Sequence, residues 1–373
     1  MEEDIVEMSL RLADETEEND SDTNSASTSE EPFDIRLPVK HQYLNSTDLG
    51  ELSTHSLYVD PGSELSVPVV VIDTVLLPGQ TLPLQFTDQS CVDFMRAAGE
   101  KRTYFGLLTA TLENDREEVE PELTASRTGT LFQVQNITLR DQTLTVQAVG
   151  RQRCRLLNRL PFSSFHEHDF MQLKFYSMLT AHDTFSLSKS STETIAGWLK
   201  NWLQKWFDLS RINIVMEQGY TVFSYFVASN LPVGLEEKLK FLEEDCTDRR
   251  LRMLWRTACQ MSGLACDRCG DVKCEVNDLI NLSAEGNGTH FVNPAGYVHD
   301  LFTVGRMDNI QMHGLPSTQF SWFPGYAWTP LSCSNCSAHL GWKFISSKLL
   351  PKRFYGISRR SFKLARMEDS TSP

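Results

Sequence analysis

Two cysteine pairs constrain this chain more than any other feature. Cys266-Asp267-Arg268-Cys269 and Cys333-Ser334-Asn335-Cys336 are both C-x-x-C, and 63 residues separate them. Each pair can fold into a tight knuckle that brings two thiolates to one ion, and two knuckles complete a tetrahedral four-cysteine site of the kind zinc prefers. The span between them is too long for a small zinc finger, so the expected metal staples the two ends of a β-rich domain. A thioredoxin-type redox pair would sit at a strand-to-helix turn in a βαβ unit, and neither pair has that surrounding pattern. Four cysteine ligands leave no position for water, which makes the expected zinc, one ion, structural rather than catalytic. Cys274 is a competing ligand or a buried free thiol. The nine cysteines are an odd number in a chain without an export signal, which argues against a disulfide framework and for a cytoplasmic and nuclear protein.

Charge divides the chain. Residues 1–34 hold 13 Asp/Glu against Arg11 alone, a net of −12 out of −14, so the remaining residues are nearly neutral. The leader is rich in Ser and Thr with no aromatic residue before Phe33, and predicts disorder because it cannot bury enough surface to offset its ordering entropy. No basic stripe marks the body as a nucleic-acid binder. The longest apolar run, Val67 to Pro78, is broken by Asp73 and falls short of a membrane span.

After a connector at 35–65, β-branched and aromatic runs predict strands at Val67–Ile72, Leu82–Phe86, Tyr104–Ala110, Thr130–Val134 and Leu144–Val149. Trp198, Leu199, Trp202, Leu203, Trp206 and Phe207 share the stripe of one predicted helix, which is expected to bury that stripe intramolecularly. Further helices are expected at Glu236–Glu244 and Thr247–Met261. Strand-like pieces follow at His290–Val292 and Tyr297–Val304, with a boundary near 261, a second domain over 261–365 and a tail over 366–373. His166, His168 and His182 read as solvated side chains of a polar loop.

Between the knuckles, Ser317 to Trp328 packs five aromatic residues into nine positions, and Gly341-Trp342-Lys343-Phe344 follows the second knuckle. Core filling is one reading of so much ring surface. The other is a cage in which the Pro324-Gly325 turn folds Trp322 towards Trp328 while the metal fixes the strand bearing Trp342. Residues 311–344 contain no Asp or Glu and a single Lys, so such a cage suits an uncharged flat ring with amide edges better than a cation.

Several of these stretches resemble the cereblon family. Ser321-Trp322-Phe323-Pro324-Gly325-Tyr326-Ala327-Trp328, Gly341 to Phe344, Asn293-Pro294-Ala295-Gly296-Tyr297-Val298-His299 and both C-x-x-C pairs are similar to its CULT domain. Pro78 to Gln85 and Val149-Gly150-Arg151-Gln152-Arg153 resemble the LON N-terminal-like domain that precedes it. The resemblance implies an α+β, multidomain protein: a mostly β LON N-terminal-like domain over 66–260 with a helical part at about 190–260, then a zinc-stapled all-β CULT domain, the β-tent. It implies a cyclic-imide cage for a thalidomide-type glutarimide or a C-terminal cyclic imide on a damaged protein. Trp322, Trp328 and Trp342 would be its walls and Phe344 its floor, with main-chain contacts at Phe320 and Trp322 and with Asn293 and Pro294 at the rim. Vertebrate members usually have His where this chain has Phe320 and Ala295. The implied role is a non-catalytic substrate receptor that docks on the damage-specific DNA-binding protein adaptor of a cullin-RING ubiquitin ligase. The interval from Arg153 to Trp198 predicts shortened docking helices. A free-standing imide reader, or a methionine sulfoxide reductase-like enzyme using Cys274, are the alternatives. The LON resemblance brings no ATPase, since the chain has no Gly-Lys dipeptide and hence no Walker A loop.

Overall fold

A computed structural model describes residues 30–44, 59–100, 104–113, 122–140, 142–157, 170–175 and 191–366. Most of the acidic leader, His166, His168, His182 and the tail beyond 366 lie outside these described residues.

The first half is built on a closed sheet. Strands β2 (Glu64–Ile72), β4 (Tyr104–Glu113), β6 (Thr128–Arg140), β7 (Thr143–Leu156) and β8 (Phe170–Phe175) join in the order β2-β8-β7-β6-β4. The ring closes because β2 divides its two halves: Glu64 to Pro68 pair antiparallel with β8, and Val69 to Ile72 pair parallel with β4. Strand β3 (Thr81–Phe86) lies along β7, and β5 (Glu122–Ala125) extends β4. Alternation along these strands sends Leu82, Leu84, Phe105, Phe132, Leu144, Val146 and Ala148 into one core. Helix α1 (Gln89–Glu100) covers it with Val92 and Met95. All five strands expected from residues 67–149 are present.

Five helices follow: α2 (Thr192–Leu203), α3 (Leu209–Glu217), α4 (Tyr220–Asn230), α5 (Leu235–Glu243) and α6 (Thr247–Gln260). Two of them, α3 and α4, had no counterpart in the sequence pattern. Helix α4 is buried through most of its length, which erases the polar face that periodicity needs. The tryptophan stripe corrects the expectation of one continuous helix, because α2 stops at Leu203. Trp206 lies beyond its end and folds back so that its ring meets Trp202 edge-on at 4.5 Å. Leu199, Trp202, Leu203 and Phe207 are core, while Trp198 stays 38% exposed against Trp255.

Residues 261–366 build two sheets and contribute one strand to a third. The smaller has the order β10-β9-β19, from β9 (Met261–Cys266), β10 (Val272–Glu275) and β19 (Phe362–Arg366). The larger runs β11-β13-β18-β16-β15-β14, from β11 (Leu279–Ile280), β13 (Val298–Val304), β14 (Ile310–Met312), β15 (Ala327–Cys333), β16 (His339–Ile345) and β18 (Arg353–Ser358). Strand β12 (His290–Val292) adds to β13. The strands of the larger sheet approach so closely that a Cβ on Gly341, at φ +150°, would collide with the Gly356 carbonyl.

Residues 30–44 depart from the expected leader and connector. Strand β1 (Glu31–Pro32) pairs parallel with β17 (Leu349–Leu350), and Phe33 buries its ring against Phe323 and Tyr326. The apolar ring of Phe33 is the anchor by which this stretch packs on the larger sheet's core.

The two halves meet at a buried charge cluster. Asp300 of β13 receives Lys238 Nζ of α5 at 2.7 Å and Arg359 Nε at 2.9 Å, and all three side chains are almost fully buried. Arg359 also donates to the carbonyls of Leu231, Val233, Ser229 and Asn287. Lys238 and Arg359 share one carboxylate. Burial therefore lowers Lys238 to about 8 despite Asp300, while the cations outweigh burial at Asp300 and hold it well below the carboxylate range.

Candidate ligand cage and metal centre

The two C-x-x-C pairs fold alike. In the first, Cys266 ends β9, the Gly270 N–H donates to the Cys266 carbonyl at 2.8 Å, and the Cys266 N–H donates to the Asp271 carbonyl at 2.8 Å. In the second, Cys333 ends β15, the Ser337 N–H donates to the Cys333 carbonyl at 2.9 Å, and the Cys333 N–H donates to the Ala338 carbonyl at 2.9 Å. The fourth residue after the leading cysteine is left-handed in both, Gly270 at φ +76° and Ser337 at φ +58°. The knuckles bring all four Sγ atoms within 4.8 Å of one another, with Cys266–Cys336 and Cys269–Cys333 both at 3.6 Å. Four sulfurs placed about 2.3 Å from a tetrahedral zinc would lie about 3.8 Å apart, so this set fits a metal ion. The smaller sheet holds one pair and the larger sheet the other, so the ion would tie the two sheets together.

Lys273, which sequence reasoning missed, supports the centre. It is buried, donates to Asp271 Oδ2 at 2.6 Å and to the Asn309 carbonyl at 2.7 Å, and reaches Cys333. An ammonium here offsets part of the surplus negative charge of a tetrathiolate, and its only sequence signal is a Lys beside the buried Cys274. Cys274 itself is 3% exposed, and burial pushes its thiol up to about 12, the opposite of what a nucleophile needs.

The aromatic segment divides between core and site. Phe323-Pro324-Gly325-Tyr326 forms a turn in which the Tyr326 N–H meets the Phe323 carbonyl at 3.0 Å and Gly325 supplies φ +89°, as a type II turn requires. The turn sends Phe323 and Tyr326 inward, where Phe323 contacts Phe344 and Phe354 at 4.8 Å. Trp322 stacks on Phe291 at 5.3 Å and meets the edge of Trp342 at 4.8 Å with 77° between the planes. His299 of β13 completes this corner, 5.1 Å from Trp322 and 5.2 Å from Trp342. Burial holds His299 down at about 4, so it is neutral at physiological pH.

Of the residues expected to form a cage, Trp322 and Trp342 are in contact. The pairings Trp328 with Phe344 and Pro330 with Trp342 place Trp328, Trp342 and Phe344 on one face of the β15–β16 ribbon. The half-buried Trp328 points its indole N–H at the Gln319 carbonyl, 2.8 Å away. Phe344 is 1% exposed and stacks on Phe354, so it lies beneath the indoles as core. Phe320 is 52% exposed in a left-handed turn at φ +53°, with its ring directed to solvent. Asn293 is largely occupied in shaping its own loop: its Oδ1 accepts from the Ala295 N–H at 3.1 Å and the Tyr297 N–H at 2.9 Å. Pro294 lies exposed in that loop. His299 was quoted in the sequence motif but not singled out, because alternation along β13 becomes informative only once the strand's neighbours are known.

Protein cereblon of Danio rerio is 30% identical over 379 residues, covering 88% of this chain and 86% of that protein. The chain belongs to the cereblon family. Protein cereblon of Gallus gallus is 28% identical over 88% of this chain and 84% of its own length. The family of ATP-dependent protease La (LON) substrate-binding domains matches residues 66–257, which span the closed sheet and the helices. A solved Lon N-terminal domain protein from Xanthomonas campestris aligns with 52% of this chain and 98% of its own at TM-score 0.36 and 19% identity, too distant to add to the assignment. As a family member the chain therefore joins a LON N-terminal-like domain to a C-terminal all-β region with a four-cysteine cluster.

Proposed function

We propose that this cereblon-family chain is a non-catalytic substrate receptor that captures cyclic imides, and that it presents proteins bearing them to a cullin-RING ubiquitin ligase. The observation that carries the reading is the corner of Trp322, Trp342 and neutral His299. Its rings carry no formal charge, so a flat uncharged amide ring entering beside the half-buried Trp342 and His299 would gain stacking and burial without desolvating an ion. Trp328 would form the third wall and Phe344 the floor. The exposed turn at Phe320 leaves main-chain amide groups near the mouth, and an imide can meet these whatever the side chain is. Zinc, held by Cys266, Cys269, Cys333 and Cys336, would fix β15 relative to β9 and so hold Trp328 in register. The high thiol pKa of Cys274 disfavours an enzymatic reading. The helices between Thr192 and Gln260 would be the surface offered to the adaptor, while most of residues 158–190, where shortened docking helices were expected, lies outside the described residues.

Calorimetric titration of the full chain with glutarimide tests the proposal. Binding should be measurable, should be lost in Trp342→Ala with zinc content unchanged, and should disappear when a chelator removes the metal. A zinc-loaded chain that takes up no glutarimide would refute the imide reading. Failure to co-purify the adaptor would reject the ligase role separately.

A further inference from the structure

The near-neutral charge of the body hides a strong segregation. Residues 309–366 contain eight Lys/Arg and no Asp/Glu, whereas residues 1–29 contain ten Asp/Glu and one Arg. Four of those cations gather at one end of the larger sheet. Lys343 of β16 pairs with Tyr355, and Arg353 of β18 pairs with Ile345, so both side chains lie on the face opposite Trp342 and Phe344. Lys348 and Lys352 lie in the turn that connects these strands. Among the described residues, Lys343, Lys348 and Arg353 form no ion pair. Burial and the neighbouring Arg353 both hold Lys343 below the ordinary lysine value, as expected for an ammonium that lacks an anion.

One of the four cations is already engaged by the start of the described chain. Lys352 Nζ pairs with Glu30 at 2.7 Å, and the Glu31 N–H donates to the Lys348 carbonyl at 3.1 Å. Because β1 runs parallel to β17 with Glu31 opposite Leu349, the chain before Glu30 runs towards Lys348 and the end of β16. The acidic segment thus enters beside the basic face and is tethered to it.

We propose that residues 1–29 dock in cis on the basic face formed by Lys343, Lys348, Lys352 and Arg353, as a charge-complementary continuation of the Glu30–Lys352 contact. Tethering sets an effective concentration in the millimolar range, so weak individual contacts suffice to keep the face occupied. Exposed charge pairs of this kind are screened by salt, and the docking should weaken as ionic strength rises.

The test is fluorescence anisotropy with a labelled peptide of residues 1–29 added in trans. The chain truncated to 30–373 should bind it at low salt, and at least about tenfold less tightly near 0.3 M salt, where the Debye length is only about 5–6 Å. The full-length chain should bind at least about tenfold more weakly than the truncated one, since its own leader fills the face. The truncated Lys343→Ala/Lys348→Ala/Arg353→Ala variant should show the same loss. Its substitutions leave the cage residues intact, and an unchanged melting curve confirms its fold. Equal binding by full-length and truncated chains, no binding by the truncated chain, or undiminished binding by the triple variant would each overturn the proposal. A leader-dependent doubling of mass in sedimentation would assign the face to the leader of a second copy and overturn docking in cis.

Discussion

Asp300→Asn should open the junction between the two halves of the molecule. Among the described residues the carboxylate is the one anion paired with Lys238 and Arg359, at 2.7 and 2.9 Å, and all three side chains are buried. Asparagine keeps a carbonyl oxygen of similar size but removes the charge, so two buried cations lose their counter-ion. Removing one partner of a buried pair costs about 3–5 kcal/mol. Lys238 sets a ceiling for its own share: already lowered to about 8, it can shed its proton at pH 7 for about 1.4 kcal/mol, at 1.36 kcal/mol for each pH unit, so most of the loss falls on Arg359. Arg359 has no such escape, but retains four backbone carbonyls. The net loss should therefore be about 3–5 kcal/mol, enough to lower Tm by at least about 5 °C. Scanning calorimetry measures it, and hydrogen exchange at residues 229–233 and 286–292 locates it. Lys238→Met combined with Asp300→Asn should regain about 1 kcal/mol of the loss, because one orphaned cation is then absent. A single Asp300→Asn variant that melts within about 1 °C of the parent, with unchanged exchange at those amides, would refute the account.

Two further predictions concern stability. Ser337 occupies a left-handed position that Gly270 fills in the other knuckle, so Ser337→Gly should stabilise the zinc-bound chain by about 1 kcal/mol in denaturant titration, and Gly270→Ala should destabilise it. His41 is buried against Tyr43 and Phe291, and burial, with His290 nearby, lowers it to about 4. The folded state then binds fewer protons than the unfolded state, so stability should fall by roughly 3 kcal/mol as pH drops from 6.5 to 4, level off below that, and fall less in His41→Gln.

Much of the metal centre was legible early, because a knuckle is local: two cysteines with two residues between them and a left-handed residue after them need nothing distant to form. The strands of the first half were equally clear, since β-branched runs alternate over their own length. Helix α4 was not, because it is buried through most of its length, Ser224, Ser229 and Asn230 included, and lacks the contrast on which periodicity depends. The tryptophan stripe misled for the opposite reason. Its spacing continues through Trp206 although the backbone leaves the helix at Leu203, where packing on Trp202 takes over.

By itself the sequence determined which residues could bind metal, which turn would reverse the aromatic segment, and where acidic and β-rich regions divide, all matters of spacing and composition within a short stretch. Only the tertiary structure decided which aromatic residues meet. Trp322 meets Trp342 and His299 instead of its near neighbour Trp328, and Asp300 joins Lys238 from 62 residues away. Such contacts depend on strand order and on the docking of one half against the other. These arise from the burial of whole faces, and no local pattern encodes them.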